Sequence, residues 1–200
     1  MEMTRLEKHF VNRESKSRHN IELVRQRLNE IGREKIHHVL ELGCGVGYVS
    51  AFLAKVYKMH VIGTDFDVEQ IERARRLHHE GELLQFKAFD ASHLTCNDAS
   101  FDLVISQNVF HHVAEWRRVV QEVGRVLRSG GYFIWLDLAF SALAKKLLQP
   151  WSKTYGIYTF EEVRKELQQD GLTQLFYEKL GRGLFAHHHL VLQKTTNCKD

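Results

Sequence analysis

"VLELGCGVGYVS", residues 39–50, places three glycines at alternate positions, Gly43, Gly45 and Gly47, between an apolar run and a helix-like pattern. Glycine reaches backbone conformations closed to other residues and lets a ligand come close to the main chain. A strand that turns there and re-enters as a helix presents free N–H groups and the positive end of a helix dipole. Such a turn suits a phosphate or a carboxylate. The spacing is G-x-G-x-G, whereas a dinucleotide fingerprint needs G-x-G-x-x-G, and its third glycine would fall on Tyr48. No Gly-Lys-Ser/Thr follows, which argues against a P-loop. Glu41 stands just before the turn. A carboxylate there repels a pyrophosphate and favours an ammonium group.

The turn sits in an alternating pattern. "HHVLEL" (37–42) reads as a strand and "YVSAFLAKVY" (48–57) as a helix. "MHVIGT" (59–64) is a second strand. "DVEQIERARRLHH" (67–79) is a helix with Asp67 as N-cap and Ile71, Ala74 and either Leu77 or His78 facing inward. "ELLQFKA" (82–88) and the nearly all-apolar "FDLVISQ" (101–107) are the third and fourth strands. "EWRRVVQEVGRVL" (115–127) is a helix with Trp116, Val119, Val120, Val123 and Leu127 as its buried stripe. "SGGYFIWLDL" (129–138) turns on two glycines into a fifth strand. Crossover helices make such strands parallel and cover both sheet faces. After a capped helix in "YTFEEVRKELQQDGL", two strands, "TQLFYEKL" and "LFAHHHLVLQK", follow with no helix between them and must pair antiparallel. The fold class is therefore α/β: a doubly wound, mostly parallel seven-stranded sheet with helices on both faces and an antiparallel last strand.

Composition is that of an ordinary globular chain, 200 residues at 44% hydrophobic and 26% charged, read as one domain. Residues 1–35, where Ile21, Val24, Leu28 and Ile31 share a helical face, hold nine Lys or Arg against six Asp or Glu. The rest balances, so the net charge of +3 lies in this N-terminal arm. Acids interrupt it, so a solvated mixed-sign helix is the simpler reading, with nucleic acid left open as a partner. Cys44, Cys96 and Cys198 are odd in number and far apart, which suggests reduced thiols in the cytoplasm. "MEMTRLEKHF" is no signal peptide, and no apolar stretch is long enough to insert across a membrane.

Two further acids complete the pattern. Asp65 ends the second strand, where a carboxylate suits ribose hydroxyls. Asp90 follows the third strand in "FKAFDASHL", placed to accept from an exocyclic amino group. An ammonium-friendly acid, a carboxylate-friendly turn, a ribose acid and an adenine-reading acid together describe a nucleoside joined to an amino acid.

These motifs, with "VIGTDFD", "FDLVISQNVFHHV" and "VLRSGGYFIWLD", resemble in order and spacing those of class I S-adenosylmethionine-dependent methyltransferases, over about residues 37–138. The match looks closest to the small-molecule branch that includes ubiquinone/menaquinone-type methyltransferases. The resemblance implies S-adenosylmethionine as cofactor, S-adenosylhomocysteine as product and a small-molecule acceptor, in a monomer or homodimer. By position it implies that Gly43, Cys44, Gly45 and Gly47 border the methionine part and that Glu41 holds its ammonium, directly or through water. Asp65 takes the ribose and Phe66 packs on adenine. Asp90 and Ala91 read the adenine edge, while Gln107 and Asn108 approach the methionine end. RNA or protein methylation, or donor binding without catalysis, are the alternatives.

Methyl transfer from a sulfonium needs a base only where the acceptor must lose a proton. His111 and His112 follow strand four. His111 is expected to cap or pack the next helix; His112 stands open between a proton acceptor and a structural residue. Asp137 either faces substrate or caps the next helix. Adjacent strand residues point to opposite faces, so His187–His189 are not expected to bind a metal together, and no Cys/His spacing suggests zinc. The substrate pocket is expected from Phe10, Arg13, Arg18 and His19 of the arm. The other contribution is residues 138–160, with Trp151, Tyr155, Tyr158, Phe160, Lys145, Lys146 and Lys153, a mix that fits equally a helix packing on the sheet, the simpler reading for most of them. The domain then divides as 1–35 (arm), 37–138 (cofactor core), 139–160 (insertion) and 161–200 (helix and terminal hairpin).

Overall fold

The computed structural model describes residues 14–195. Helix α1 (Glu14–Ile31) and a 3₁₀ turn (Arg33–Lys35) lead into β1 (His38–Leu42). Then come α2 (Tyr48–Tyr57), β2 (His60–Asp65), α3 (Val68–Leu77) and β3 (Leu84–Ala88). β4 (Phe101–Gln107), a 3₁₀ turn (Phe110–His112), α4 (Trp116–Val126) and β5 (Leu127–Phe140) follow. The chain closes with α5 (Ala142–Leu148), a 3₁₀ turn (Gln149–Trp151), α6 (Phe160–Gln169), β6 (Leu172–Leu180) and β7 (Phe185–Lys194).

The sheet order is β3-β2-β1-β4-β5-β7-β6. β1 to β5 pair in parallel, and β7 runs antiparallel to both β5 and β6. Progress across the sheet reverses between β1 and β4, so the connections leaving their carboxyl ends part there and open a crevice.

Strand alternation divides the core. Leu40, Leu42, Val104, Phe133 and Trp135 enter one layer, against Trp116, Val119, Val120 and Val123 of α4 and Val163 and Leu167 of α6. Val39, Leu103, Ile105, Ile134 and Leu136 enter the other, against Val24 and Leu28 of α1, Val49 and Leu53 of α2 and Ile71 and Ala74 of α3. Each such Val, Leu or Ile contributes roughly 1.5–3 kcal/mol by leaving water. Both faces of β1, β4 and β5 are covered, which is why these strands read as continuous apolar runs.

Local chemistry sets the boundaries. Asp67 caps α3 by accepting from Glu69 N at 2.9 Å. His78, rather than the exposed Leu77, turns inward, its Nε2 at 3.1 Å from the Val46 carbonyl. Burial lowers its pKa, so it is a packed neutral ring rather than a cation at a helix end. Thr159 and Glu162 form a capping box for α6. One boundary departs from the sequence reading. Leu127 is fully buried but begins β5 instead of ending α4. β5 pairs at Phe101↔Leu127 and next at Leu103↔Tyr132, so the Gly130–Gly131 segment bulges within the strand, Gly130 at φ +77°.

Gly47, the third glycine of the turn, serves this packing. Its φ is +78°, and a Cβ there would stand 2.4 Å from Cε1 of the Phe86 ring. α2 can approach β2 and β3 only because that atom is missing. Gly130 has similar φ but nothing within 4 Å of its notional Cβ. Gly47→Ala should therefore lose stability twice, about 1–3 kcal/mol to conformational strain and about 1–3 kcal/mol to overpacking, and Gly130→Ala only the first. Urea midpoints of the two variants check this; equal losses would remove the packing role assigned to Gly47.

Candidate active site

The crevice between β1 and β4 widens into a cavity of about 780 Å³ that α1 roofs with Lys16, His19, Asn20 and Leu23. Its size suits a cofactor together with a small acceptor. The structure brings to its wall Glu41, Gly43, Cys44, Gly45, Asp65, Phe66, Asp90, Ala91, Gln107, Asn108 and His112. Gly47 is not among the lining residues, since it faces Phe86 instead.

The glycine turn is held from two sides. Cys44 N donates to the Thr64 carbonyl at 2.8 Å. Gly45 N donates to Asp65 Oδ2 at 2.9 Å, while Asp65 Oδ1 accepts from Asp67 N at 2.9 Å. Burial still raises the Asp65 carboxyl above its ordinary value. Gly45 has φ +55° and nothing within 4 Å of a notional Cβ, so it leaves an open cradle on the cavity wall. At Gly43 a Cβ would meet Cγ2 of Val109 at 2.3 Å, so that glycine lets the β4 loop close against the turn. Burial pushes the Cys44 thiol well up, which leaves it inert as a nucleophile.

Glu41 is 4% exposed and accepts a hydrogen bond from the Ser50 hydroxyl. Burial is the dominant cause of a pKa raised to about 7, with Asp65 adding repulsion. A carboxyl so poised takes its charge readily when a cation arrives, and this fits the ammonium end of an amino acid. Asp90 accepts from Ser92 N at 2.8 Å and Ser92 Oγ at 2.7 Å. Burial opposes its charge, yet those two bonds hold the carboxyl below the usual range. Phe66 is 53% exposed at the rim, an apolar plate free to stack.

Past β4 the chain makes a tight reversal. Asn108 has φ +56°, a conformation that asparagine tolerates better than most side chains, and its N–H donates to the Leu136 carbonyl at 2.9 Å. Gln107 Nε2 donates to the Asn20 carbonyl at 3.3 Å, tying α1 to β4, while its Oε1 has no hydrogen-bond partner among the described residues.

The largest departure from the sequence reading is at His111. It does not cap α4, whose N-cap is Glu115, and it has a partner the sequence reading did not give it. Its Nδ1 hydrogen-bonds Asp137, and its ring lies 4.1 Å from that of His112, with both histidines on the cavity wall. Asp137 is fully buried and accepts also from Val109 N and Phe110 N at 2.8 Å and from Leu138 N at 2.7 Å. It neither faces the cavity nor caps α5, whose cap is Ser141. Burial opposes the charged form of His111, but the Asp137 carboxylate prevails and raises its pKa. The signal was an acid inside the apolar "FIWLDLAF", since a charge buried in a strand needs a partner.

The substrate-side segments divide differently as well. Phe10 and Arg13 lie outside the described residues; His19 lines the cavity and Arg18 does not. Of residues 138–160, Leu138 and Thr154 line it. Trp151 and Tyr155 face outward, Tyr158 is buried in the core, and Phe160 stacks on His188 at 4.2 Å. His187 and His189 reach the cavity while His188 takes the opposite face beside Tyr177.

Residues 40–135 match the methyltransferase domain family. The glycine/sarcosine/dimethylglycine N-methyltransferase of Actinopolyspora halophila is 33% identical over 167 residues, 78% of this chain and 29% of that protein, so the chain spans under a third of its relative's length. A candidate sarcosine dimethylglycine methyltransferase from Galdieria sulphuraria superposes with a TM-score of 0.79 at 16% identity, over 88% of this chain and 86% of that one. The [4+2]-cyclase SpnF superposes at 0.74 and 15% identity, over 88% and 81%. Those two structures establish the fold, whose hosts include more than one chemistry. With the glycine turn at the reversal of strand order, residues 40–135 form a methyltransferase domain of the class I S-adenosylmethionine-dependent type.

Proposed function

We propose that this chain transfers a methyl group from S-adenosylmethionine to a small-molecule acceptor. The observation that carries the reading is the trio of Glu41, Gly45 and Asp65: a buried, cation-ready carboxyl beside an open glycine cradle and a second acid on one cavity wall. S-adenosylmethionine, when bound, supplies an electrophilic methyl on a positively charged sulfur. In this reading Glu41 faces the ammonium, and Gly43, Cys44 and Gly45 lie along the methionine. Asp65 takes the ribose, Phe66 covers adenine, Asp90 and the Ala91 backbone read its edge, and Gln107 and Asn108 border the methionine end. The α1 roof favours a small acceptor over a polymer. Positioning the reactants supplies about 7–11 kcal/mol in well-oriented systems. His111, oriented by Asp137, is the group placed to accept a proton, with His112 adjacent.

Asp65→Ala and Gly45→Val are each expected to weaken S-adenosylhomocysteine binding by roughly 100-fold, the loss of one or two hydrogen bonds to a charged group or of the cradle. Calorimetry on folded variants measures this, and unchanged affinity in both overturns the site. Glu41→Gln is expected to weaken that binding too, yet to raise thermal stability. Because the folded carboxyl titrates near 7 and the unfolded one near 4.5, the wild type loses stability as pH rises through that window. The Tm gap between variant and wild type should therefore open from about pH 4.5 to about 7. A constant gap would show that Glu41 is not held protonated. For His111, NMR titration should give a pKa above 6.5 that falls in Asp137→Asn. An unshifted value would remove the pair.

A further inference from the structure

Six large apolar side chains stand 42–62% exposed beyond the carboxyl end of β5: Leu143, Leu147, Trp151, Leu180, Leu184 and Phe185. They come from two segments that meet. Phe185 pairs with Phe140, and Ser141 N donates to the Leu184 carbonyl at 2.7 Å, so the start of α5 abuts the β6–β7 turn. Leu143, Leu147 and Trp151 recur every fourth residue and share one face of α5 and its 3₁₀ extension, while Ala144 faces inward. An exposed apolar stripe on an otherwise soluble surface marks an interaction site.

The charge around the stripe says with what. Residues 141–156 and 179–187 contain Lys145, Lys146, Lys153, Lys179 and Arg182 and no Asp or Glu. Lys145 is paired with Glu162; the other four cations are exposed. Leu and Trp interleaved with Lys on a short surface helix, beside Leu, Phe, Lys and Arg of the adjoining β6–β7 turn, are the makings of a face that lies in a lipid–water interface. We propose that this face docks on a membrane surface rich in anionic lipid. No helix among the described residues is long and apolar enough to cross the bilayer, so the contact is peripheral. Leu180, Thr154 and His187 belong also to the cavity wall, so the cavity meets this face at its rim. On the methyl-transfer reading above, the acceptor is then a lipophilic molecule taken from the bilayer; the docking itself does not rest on that reading.

Vesicle co-sedimentation of the full chain tests it. Trp116 and Trp135 are 3% and 0% exposed, so a blue shift of tryptophan emission on vesicles reports Trp151. The expected result is binding and a blue shift with phosphatidylcholine–phosphatidylglycerol vesicles, weakened by salt, and little binding to phosphatidylcholine alone. Leu147→Ser/Trp151→Ser should lower the partition coefficient at least about tenfold, and so should Lys146→Gln/Arg182→Gln, with S-adenosylhomocysteine affinity unchanged in both. Failure of the wild type to bind, or variants that bind as well as it does, overturns the proposal. So does sedimentation equilibrium in which the wild type self-associates and the Leu147→Ser/Trp151→Ser variant does not, which would give the face to a second copy. Vesicle binding in a protein that takes up no S-adenosylhomocysteine would sink only the methyl-transfer reading.

Discussion

One carboxylate joins the two loops on which the site depends. Asp65 receives Gly45 N–H on one oxygen and Asp67 N–H on the other, so the glycine turn after β1 and the entry to α3 after β2 share an anchor. The glycine turn has little side chain of its own to fix its course. Gly45 has none, and its open left-handed backbone would otherwise sample several conformations. The parallel pairing of β1 with β2 brings the two loops to the same height, Leu42 opposite Thr64 with Asp65 just beyond. The cradle is thus a product of strand register, completed by one acid.

Three acids at the carboxyl ends of strands, Glu41 and Asp137 buried and Asp65 half-buried, are solved in three ways. Asp137 has four hydrogen-bond donors, one of them the His111 ring, and is satisfied within the fold. Asp65 has two backbone donors and still titrates high, because burial outweighs them. Glu41 has a hydroxyl partner and rises to about 7. Burying a carboxylate with incomplete satisfaction costs stability. The cost falls where a positively charged ligand would offset it.

The layers and strand order were legible because both core faces are apolar and the helices between strands are amphipathic. The helix over 48–57 and the strand over 101–107 stand where periodicity puts them. The Gly130–Gly131 bulge was not legible, since two glycines signal a turn and a bulge alike. Within the site, residues that act through local sequence (Glu41, the glycines, Asp65, Asp90) could be read from spacing, and the cavity gathers all but Gly47. His111 and Asp137 are 26 residues apart and meet only because β4 and β5 are neighbours, a contact that no local pattern encodes. Residue type leaves Trp151 and Tyr155 open between the pocket and packing on the sheet, and both stand exposed instead, because the inward position of α5 goes to Ala144 and Tyr155 lies beyond the 3₁₀ turn.

The roof of the cavity is held unevenly. The second half of α1 is anchored by Val24 and Leu28, fully buried against the sheet, and by Arg27, whose guanidinium lies 4.0 Å over the Phe176 ring and 3.6 Å from Glu178. The first half presents Lys16, His19 and Asn20 to the cavity, with the Gln107–Asn20 hydrogen bond as a tie to β4. Apolar burial thus dominates at one end of the helix and polar contacts at the other. The polar end lies over the cavity. A ligand that fills the cavity meets α1 through these polar side chains and Leu23, while Val24 and Leu28 hold the helix to the sheet.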